Sequence, residues 1–354
     1  MENDTQVVII GAGQAGLSVA YYLRKFELTP GVDFVVFDRG PGTGGAWQFR
    51  WDALKLGSAH RVNDLPGMRA LGISFETADR SLPAKDIVAG YYRRYEEYYG
   101  LEVRRPVAVH RVFNRGADLV VGHDGGETTT QVVVNATGTW GAPFIPFYPG
   151  GATFTGRHVH TTTYRAAEDF AGQSVVVVGG GTSAIGFLLE LENVAARLTW
   201  ATRRPVEYRD ESELTIEGGV AAVSAQDAAA RAGLPLPSIV SGTGVPRSRR
   251  IVAGIERGVL REREMFARIE QNGVRWSDGT FTEADAIIWA TGFRPELRHL
   301  GPLKLREASG GLTVETGAAW QDPRVFMAGY GPYASTIGAN RAGRVIARQV
   351  MARL

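Results

Sequence analysis

The chain contains no cysteine. Its own residues can therefore form no disulfide, thiolate ligand or redox dithiol, and electrons reaching a bound redox group must leave to oxygen, a quinone or an external acceptor. It also lacks any apolar run approaching the ~20 residues a membrane helix needs. The opening stretch MENDTQ is acidic and polar with no cationic segment, so no secretory signal is expected and the cytoplasm is the expected location. Excess charge is missing too. A formal net charge of +2, spread over many acids and bases, gives no basic stripe and predicts no nucleic-acid or membrane partner. The one basic cluster, Arg247, Arg249 and Arg250, stands beside Gly and Pro and reads as a solvated loop. Histidines are few and scattered apart from His158 and His160, which without a third ligand make no metal site. The Gly-Thr-Ser at 181–183 is no nucleophile elbow, so no Ser-His-Asp arrangement is expected.

What is present is a pattern that occurs twice. At 354 residues the chain has room for two domains of ordinary size. Residues 7–10 form a short apolar run, followed by GAGQAG and a helix-compatible stretch over 17–25. Residues 34–38 (FVVFD) read as a second strand, buried on both faces because its apolar run is continuous. A helix is predicted over 87–99 and a small antiparallel insert over 103–134. Pro143, Pro146 and Pro149 with Gly150 and Gly151 form a hinge-like linker, after which the pattern restarts. Residues 174–178 are a strand, GGGTSAIG a turn opening a helix to about Glu192, and 198–202 the next strand. RWSDGTF reads as a hairpin, and 286–290 (AIIWA) as a strand returning the chain to the first domain. Two such starts imply two nucleotide folds, the second inserted into the first.

Gly11, Gly13 and Gly16 follow the first strand as G-x-G-x-x-G. Gly11 permits the tight turn, Gly13 lets the backbone approach a diphosphate, and Gly16 lets helix pack on strand. The helix N-terminus then presents unpaired N–H groups to the phosphates. Asp38, 22 residues after Gly16, stands where a carboxylate accepts from an adenosine ribose. The second fingerprint is Gly179, Gly181 and Ala184, but its next strand ends in Arg203 and Arg204 instead of an acid. Guanidinium groups bind a 2′-phosphate that a carboxylate would repel, which predicts NADPH over NADH. An ordinary pair of surface arginines is the competing reading.

Between the fingerprints lies FTGRHVHTTTY, with Phe154, Gly156, His160 and Tyr164 in the pattern F-x-G-x-x-x-H-x-x-x-[Y/F]. With Gly44-Gly45-Ala46-Trp47, Ala136-Thr137-Gly138 and Ala290-Thr291-Gly292-Phe293-Arg294-Pro295, the chain resembles the flavin-containing monooxygenases over essentially its whole length. It looks most like compact bacterial members, including those found with arsenic-resistance genes. Tyr164 resembles this group, since related Baeyer–Villiger enzymes carry Trp there. The resemblance implies FAD, NADPH and dioxygen: NADPH reduces the flavin, oxygen forms a C4a-(hydro)peroxyflavin, and one oxygen atom passes to a soft nucleophile. It implies that residues 154–164 lie between the domains, and that Gly45, Trp47, Gly138 and Gly292 belong to the cofactor sites. Larger members carry an asparagine near the flavin edge, where this chain has Gly57 or Ser58; His60 and Asn63 are nearby but offset. His60, Asn63 and His160 are therefore the catalytic candidates, with a hydrogen-bonded linker histidine as the other reading of His160. Gly329, in a glycine-rich turn after 325–330, is assigned to FAD through backbone N–H groups, with a purely structural closure equally open.

The expected fold is thus α/β, with two Rossmann-type dinucleotide-binding domains. FAD occupies residues 1–149 and 288–354, and NADPH residues 150–287. The leading function is an NADPH-dependent flavin monooxygenase acting on a small molecule at sulfur, nitrogen or a similar atom. An NADPH oxidase or diaphorase-type reductase and a flavin-based nucleotide sensor are the alternatives. Monomer and homodimer are both left open.

Overall fold

In the computed structural model, residues 5–59, 62–209, 245–305, 314–315, 318–319, 322–330 and 336–354 are described. The apolar runs become parallel strands because successive side chains point to opposite faces. Val7 and Ile9 of β1 (Thr5–Ile10) enter one core and Val8 and Ile10 the other. In the first sheet β1 lies parallel between β2 (Phe34–Phe37) and the long strand Gly126–Asn135. Asp322–Met327 pairs parallel to the far side of that long strand. Helices α1 (Gln14–Lys25) and α2 (Ala84–Tyr99) and the terminal helix Thr336–Arg353 cover one face. The terminal helix approaches α1 closely at Gly343, where a Cβ would stand 2.2 Å from Ser18 Oγ.

The antiparallel insert exists but shares a strand with the main sheet. Strands β3 (Val109–Arg115) and β4 (Asp118–His123) form a meander onto β5, the Gly126–Asn135 strand named above. The first half of β5 pairs with β4 and its second half with β1.

The second sheet is wholly parallel. Its order is Glu262–Glu264, β8 (Arg197–Thr202), β7 (Ser174–Val178), Ala286–Trp289 and β6 (Arg157–His160). Val175 and Val177 face the core beneath α3 (Thr182–Leu191); Val176 and Val178 face Ile269 of a small antiparallel sheet and Phe266 and Trp276 beside it. That sheet contains the expected hairpin, Gly273–Arg275 against Phe281–Glu283.

Two expectations are corrected here. Ala286–Trp289 does not return the chain to the first sheet: it lies between β6 and β7, and a boundary at 288 would cut it. Its continuous apolar run suits the centre of either sheet, and only the pairing decides which. The basic cluster is a loop only in part: Arg247 lies outside any element, while Arg249 and Arg250 open the helix Arg249–Glu256, and all three are exposed. The two linkers between the sheets run side by side. Phe144 N donates to Gly292 O at 3.0 Å and Arg294 N to Ala142 O at 2.8 Å. Among the described residues no helix is long and apolar enough to cross a membrane.

Candidate functional site

The first glycine turn separates two demands on its residues. Gly11 takes φ +106°, and a Cβ there would lie 2.5 Å from Ala136 O; one at Gly16 would lie 1.9 Å from Gly11 O. The protein's own packing requires both. A Cβ on Gly13, at the start of α1, would meet no protein atom within 4 Å. The space before Gly13 belongs to a cavity of about 570 Å³, of the size that small-molecule sites have. Gly11, Gly13, Asp38, Gly45, Trp47, Gly138 and Gly329 all line it. Gly16 does not, consistent with its place between helix and strand.

Asp38 is held firmly. Its Oδ2 accepts from Ala12 N and its Oδ1 from Gly40 N, both at 2.7 Å. Behind it Arg105 stands 3.9 Å from Oδ1 while bonding both carboxylate oxygens of Glu96 at 2.7 Å. The acid thus ties the end of β2 to the glycine turn and keeps lone pairs for a ligand.

The second turn repeats the first. Gly179 takes φ +138°, and its Cβ would stand 2.3 Å from Ala290 O, as Gly11 stands against Ala136. Gly181 opens α3 with no protein atom within 4 Å of a Cβ, and Ala184 is buried. Gly138 and Gly292 occupy equivalent Ala-Thr-Gly positions, both with positive φ. Arg203 and Arg204 follow β8, which adjoins the strand leading into this turn. Both are exposed, and among the described residues neither has an acidic partner. The open faces at Gly13 and Gly181 fit two dinucleotides, one on each sheet.

The eleven residues from Phe154 to Tyr164 bind the second unit together and touch its neighbour. Phe154 is buried against the small antiparallel sheet, and Tyr164 packs on Phe170 and Phe187 on the opposite face. His160 is buried at the end of β6. Its Nδ1 accepts from Thr162 N at 3.2 Å, so the proton sits on Nε2 and is donated to Gly292 O at 3.1 Å. Burial pushes its pKa down, favouring this neutral form. None of the four motif residues lines the cavity.

Of the other catalytic candidates, His60 lies outside the described residues. Asn63 is half-buried and its carbonyl accepts from Gln14 Nε2 at 3.1 Å, but it does not line the cavity. Gly57 and Ser58 are exposed and do not line it either.

Three features escaped the sequence. Trp51, a few residues beyond Trp47, is buried in the core of the second unit, and its Nε1 donates to both oxygens of Glu190 on α3 at 3.0 Å. Tyr164 Oη donates to the same carboxylate at 3.1 Å, and burial pushes the Glu190 pKa up. His299 lines the cavity, with Nε2 bonded to Asn135 Oδ1 at 2.8 Å; burial pushes its pKa down to about 4. Arg50 is half-buried between the rings of Trp47 and Trp140. No local spacing signals any of these, because each depends on a partner distant in the chain or on a fold-made pocket.

Two sheets with parallel cores, each with a ligand-facing glycine turn, fit a flavoprotein of the two-dinucleotide class. The model of the pyridine nucleotide-disulphide oxidoreductase family matches residues 8–220. A doubly substituted variant of flavin monooxygenase from Stenotrophomonas maltophilia is 32% identical over 99% of both chains, with a TM-score of 0.84. The uncharacterized oxidoreductase CzcO of Bacillus velezensis is 26% identical over 82% of this chain and 81% of its own. Indole-3-pyruvate monooxygenase YUCCA4 of Oryza sativa is 28% identical over 81% of this chain and 74% of its own. The chain belongs to the pyridine nucleotide-disulphide oxidoreductase family and, within it, to the flavin-containing monooxygenases. It is an oxidoreductase of the monooxygenase kind, and FAD and NADPH are its cofactors. The disulphide chemistry in the broader family's name is closed to a chain without cysteine.

Proposed function

We propose that this protein is an NADPH-dependent flavin monooxygenase that oxygenates a small organic molecule at a soft atom, sulfur or nitrogen. The observation that carries the reading is the pairing of full-length likeness to a flavin monooxygenase with a ligand-facing glycine turn on each sheet. Gly11, Gly13 and the start of α1 receive the FAD diphosphate, Asp38 its ribose, and Gly45, Trp47, Gly138 and Gly329 wall the cavity. Gly179, Gly181, Ala184 and Gly292 receive NADPH, with Arg203 and Arg204 on its 2′-phosphate. His160 is a positioning residue that fixes the Gly292 turn through its Nε2 proton. The FAD-holding unit comprises residues 1–149 and the chain after Trp289, and the NADPH-holding unit the residues between.

When bound, the flavin supplies the passage of two electrons from NADPH to dioxygen. One oxygen atom enters the product and the other leaves as water. The chain's own contribution is binding, orientation and exclusion of water. One observation favours a second reading, an NADPH oxidase. Gly57, Ser58 and Asn63 do not line the cavity, so none of them would place a hydrogen-bond donor beside a bound flavin.

The deciding experiment follows NADPH consumption, hydrogen peroxide and sulfoxide together, with thioanisole as probe. A monooxygenase gives close to one sulfoxide per NADPH. Stoichiometric peroxide without sulfoxide or amine oxide establishes the oxidase instead. Flavin reduction far slower than the ~1–10³ s⁻¹ typical of enzymes points to a nucleotide sensor.

A further inference from the structure

Among the described residues in the seam between the units, Arg50 is a half-buried cation that the cofactor assignments leave without a role. The two glycine turns face the two diphosphates, Arg203 and Arg204 the 2′-phosphate, and Arg105 is paired with Glu96. Arg298 is paired with Glu296, which Arg39 also approaches. Arg50 has no such partner. Its guanidinium lies 4.3 Å from the centre of the Trp140 ring and 5.6 Å from that of Trp47. Among the described residues no carboxylate pairs with it, and its Nε is shielded from water without an acceptor. Desolvation pushes its pKa down to about 10. Aromatic faces offset part of the cost of burying a cation, but they do not satisfy the directional N–H groups of a guanidinium.

Its surroundings are flat and apolar. Phe49 stacks on Trp140 at 6.3 Å and 9°, Trp140 on Phe293 at 5.1 Å, and Phe293 meets His160 edge-on. Trp47, Phe49 and Trp140 line the cavity, whereas Phe293 follows the last strand of the second sheet. Arg50 itself does not line the cavity; it stands directly behind this wall of rings, against Trp47 and Trp140.

We propose that Arg50, with Trp140 and Phe49, forms an oxyanion subsite that holds the carboxylate of a flat organic acid whose soft atom is oxygenated. This rests on the monooxygenase reading and names its substrate class. The planar fork of a guanidinium matches a carboxylate through two parallel bonds, and the stacked rings accept the planar remainder of the acid.

The test uses the FAD-loaded protein with (phenylthio)acetate and its methyl ester, which differ in charge but share the sulfur. Binding is read by quenching of tryptophan fluorescence, and turnover by sulfoxide formed. In the wild type the acid should bind at least ~10-fold more tightly than the ester. Arg50→Gln should bring that ratio near one, and Arg50→Lys should restore part of it. Should the Gln variant not fold, the Lys variant carries the test through its reduced ratio. Equal binding of acid and ester by the wild type overturns the proposal. So does an Arg50→Gln protein that keeps the ratio while losing FAD or affinity for NADPH, since the cation then serves a cofactor phosphate. If the acid binds through Arg50 but neither compound is oxygenated, the subsite stands and the monooxygenase reading fails. If both are oxygenated without dependence on Arg50, the reverse holds.

Discussion

The central glycines of the two turns show how a single position can belong to a ligand. Because a Cβ at Gly13 meets no protein atom within 4 Å, Gly13→Ala leaves the protein's packing intact and places a methyl in the path of the FAD diphosphate. The expected result is a chain that melts like wild-type apoprotein but binds FAD at least ~10-fold more weakly, about 1.4 kcal/mol. Flavin titration of both apoproteins measures it, and unchanged affinity removes Gly13 from the site. Arg203 and Arg204 are proposed to act on the other nucleotide. Replacing both by Ala should raise KM for NADPH by roughly 10- to 150-fold, the equivalent of one charge-assisted bond, with little change for NADH. Equal kcat/KM for the two nucleotides in the wild type would refute the assignment.

Between elements, the contact that matters is Trp51 to α3. A residue in the loop after the Gly45–Phe49 turn buries its indole among Tyr164 and Phe187 of the second unit and donates to Glu190. Trp51→Phe keeps an aromatic ring, though a smaller one, and leaves the buried carboxylate with one donor fewer, a loss of about 1–3 kcal/mol. It should lower the melting temperature by several degrees. Glu190→Gln retains an acceptor oxygen for the indole and should cost less. Differential scanning calorimetry on both variants decides: a Trp51→Phe protein melting within a degree of wild type means the hydrogen bond does not hold the units together.

Over the whole molecule, buried histidines set the response to acid. His299 has its pKa pushed from the ordinary 6.5 down to about 4. The unfolded chain therefore binds more protons than the folded one between these values, so the histidine's contribution is complete above pH 6.5 and falls as pH drops toward 4. By pH 5 this is a loss of roughly 2 kcal/mol. His160 and His123, both lowered by burial, act in the same sense. Chemical denaturation at pH 7 and pH 5 should show this loss in the wild type and a smaller one in His299→Gln, whose amide can still donate to Asn135. Equal losses would place the acid sensitivity elsewhere.

Much of the architecture is legible in the residues because it rests on local rules. Apolar runs of four to six residues covered on both faces, each followed by a glycine turn and a helix, announce two parallel units. Asp38 and the arginine pair at the strand ends carry opposite charge, the ground on which we propose different nucleotides for the two turns. The side to which Ala286–Trp289 belongs was not legible, since a uniformly apolar strand carries no mark of which neighbours it will pair with. Nor were Trp51 against Glu190, His299 against Asn135, or an arginine enclosed by two tryptophans. The sequence by itself determined where the backbone must turn tightly and which charge waits at each turn, because those depend on residues a few positions apart. The tertiary structure alone decided which buried groups meet, because burial and pairing join chain segments as far as 164 residues apart.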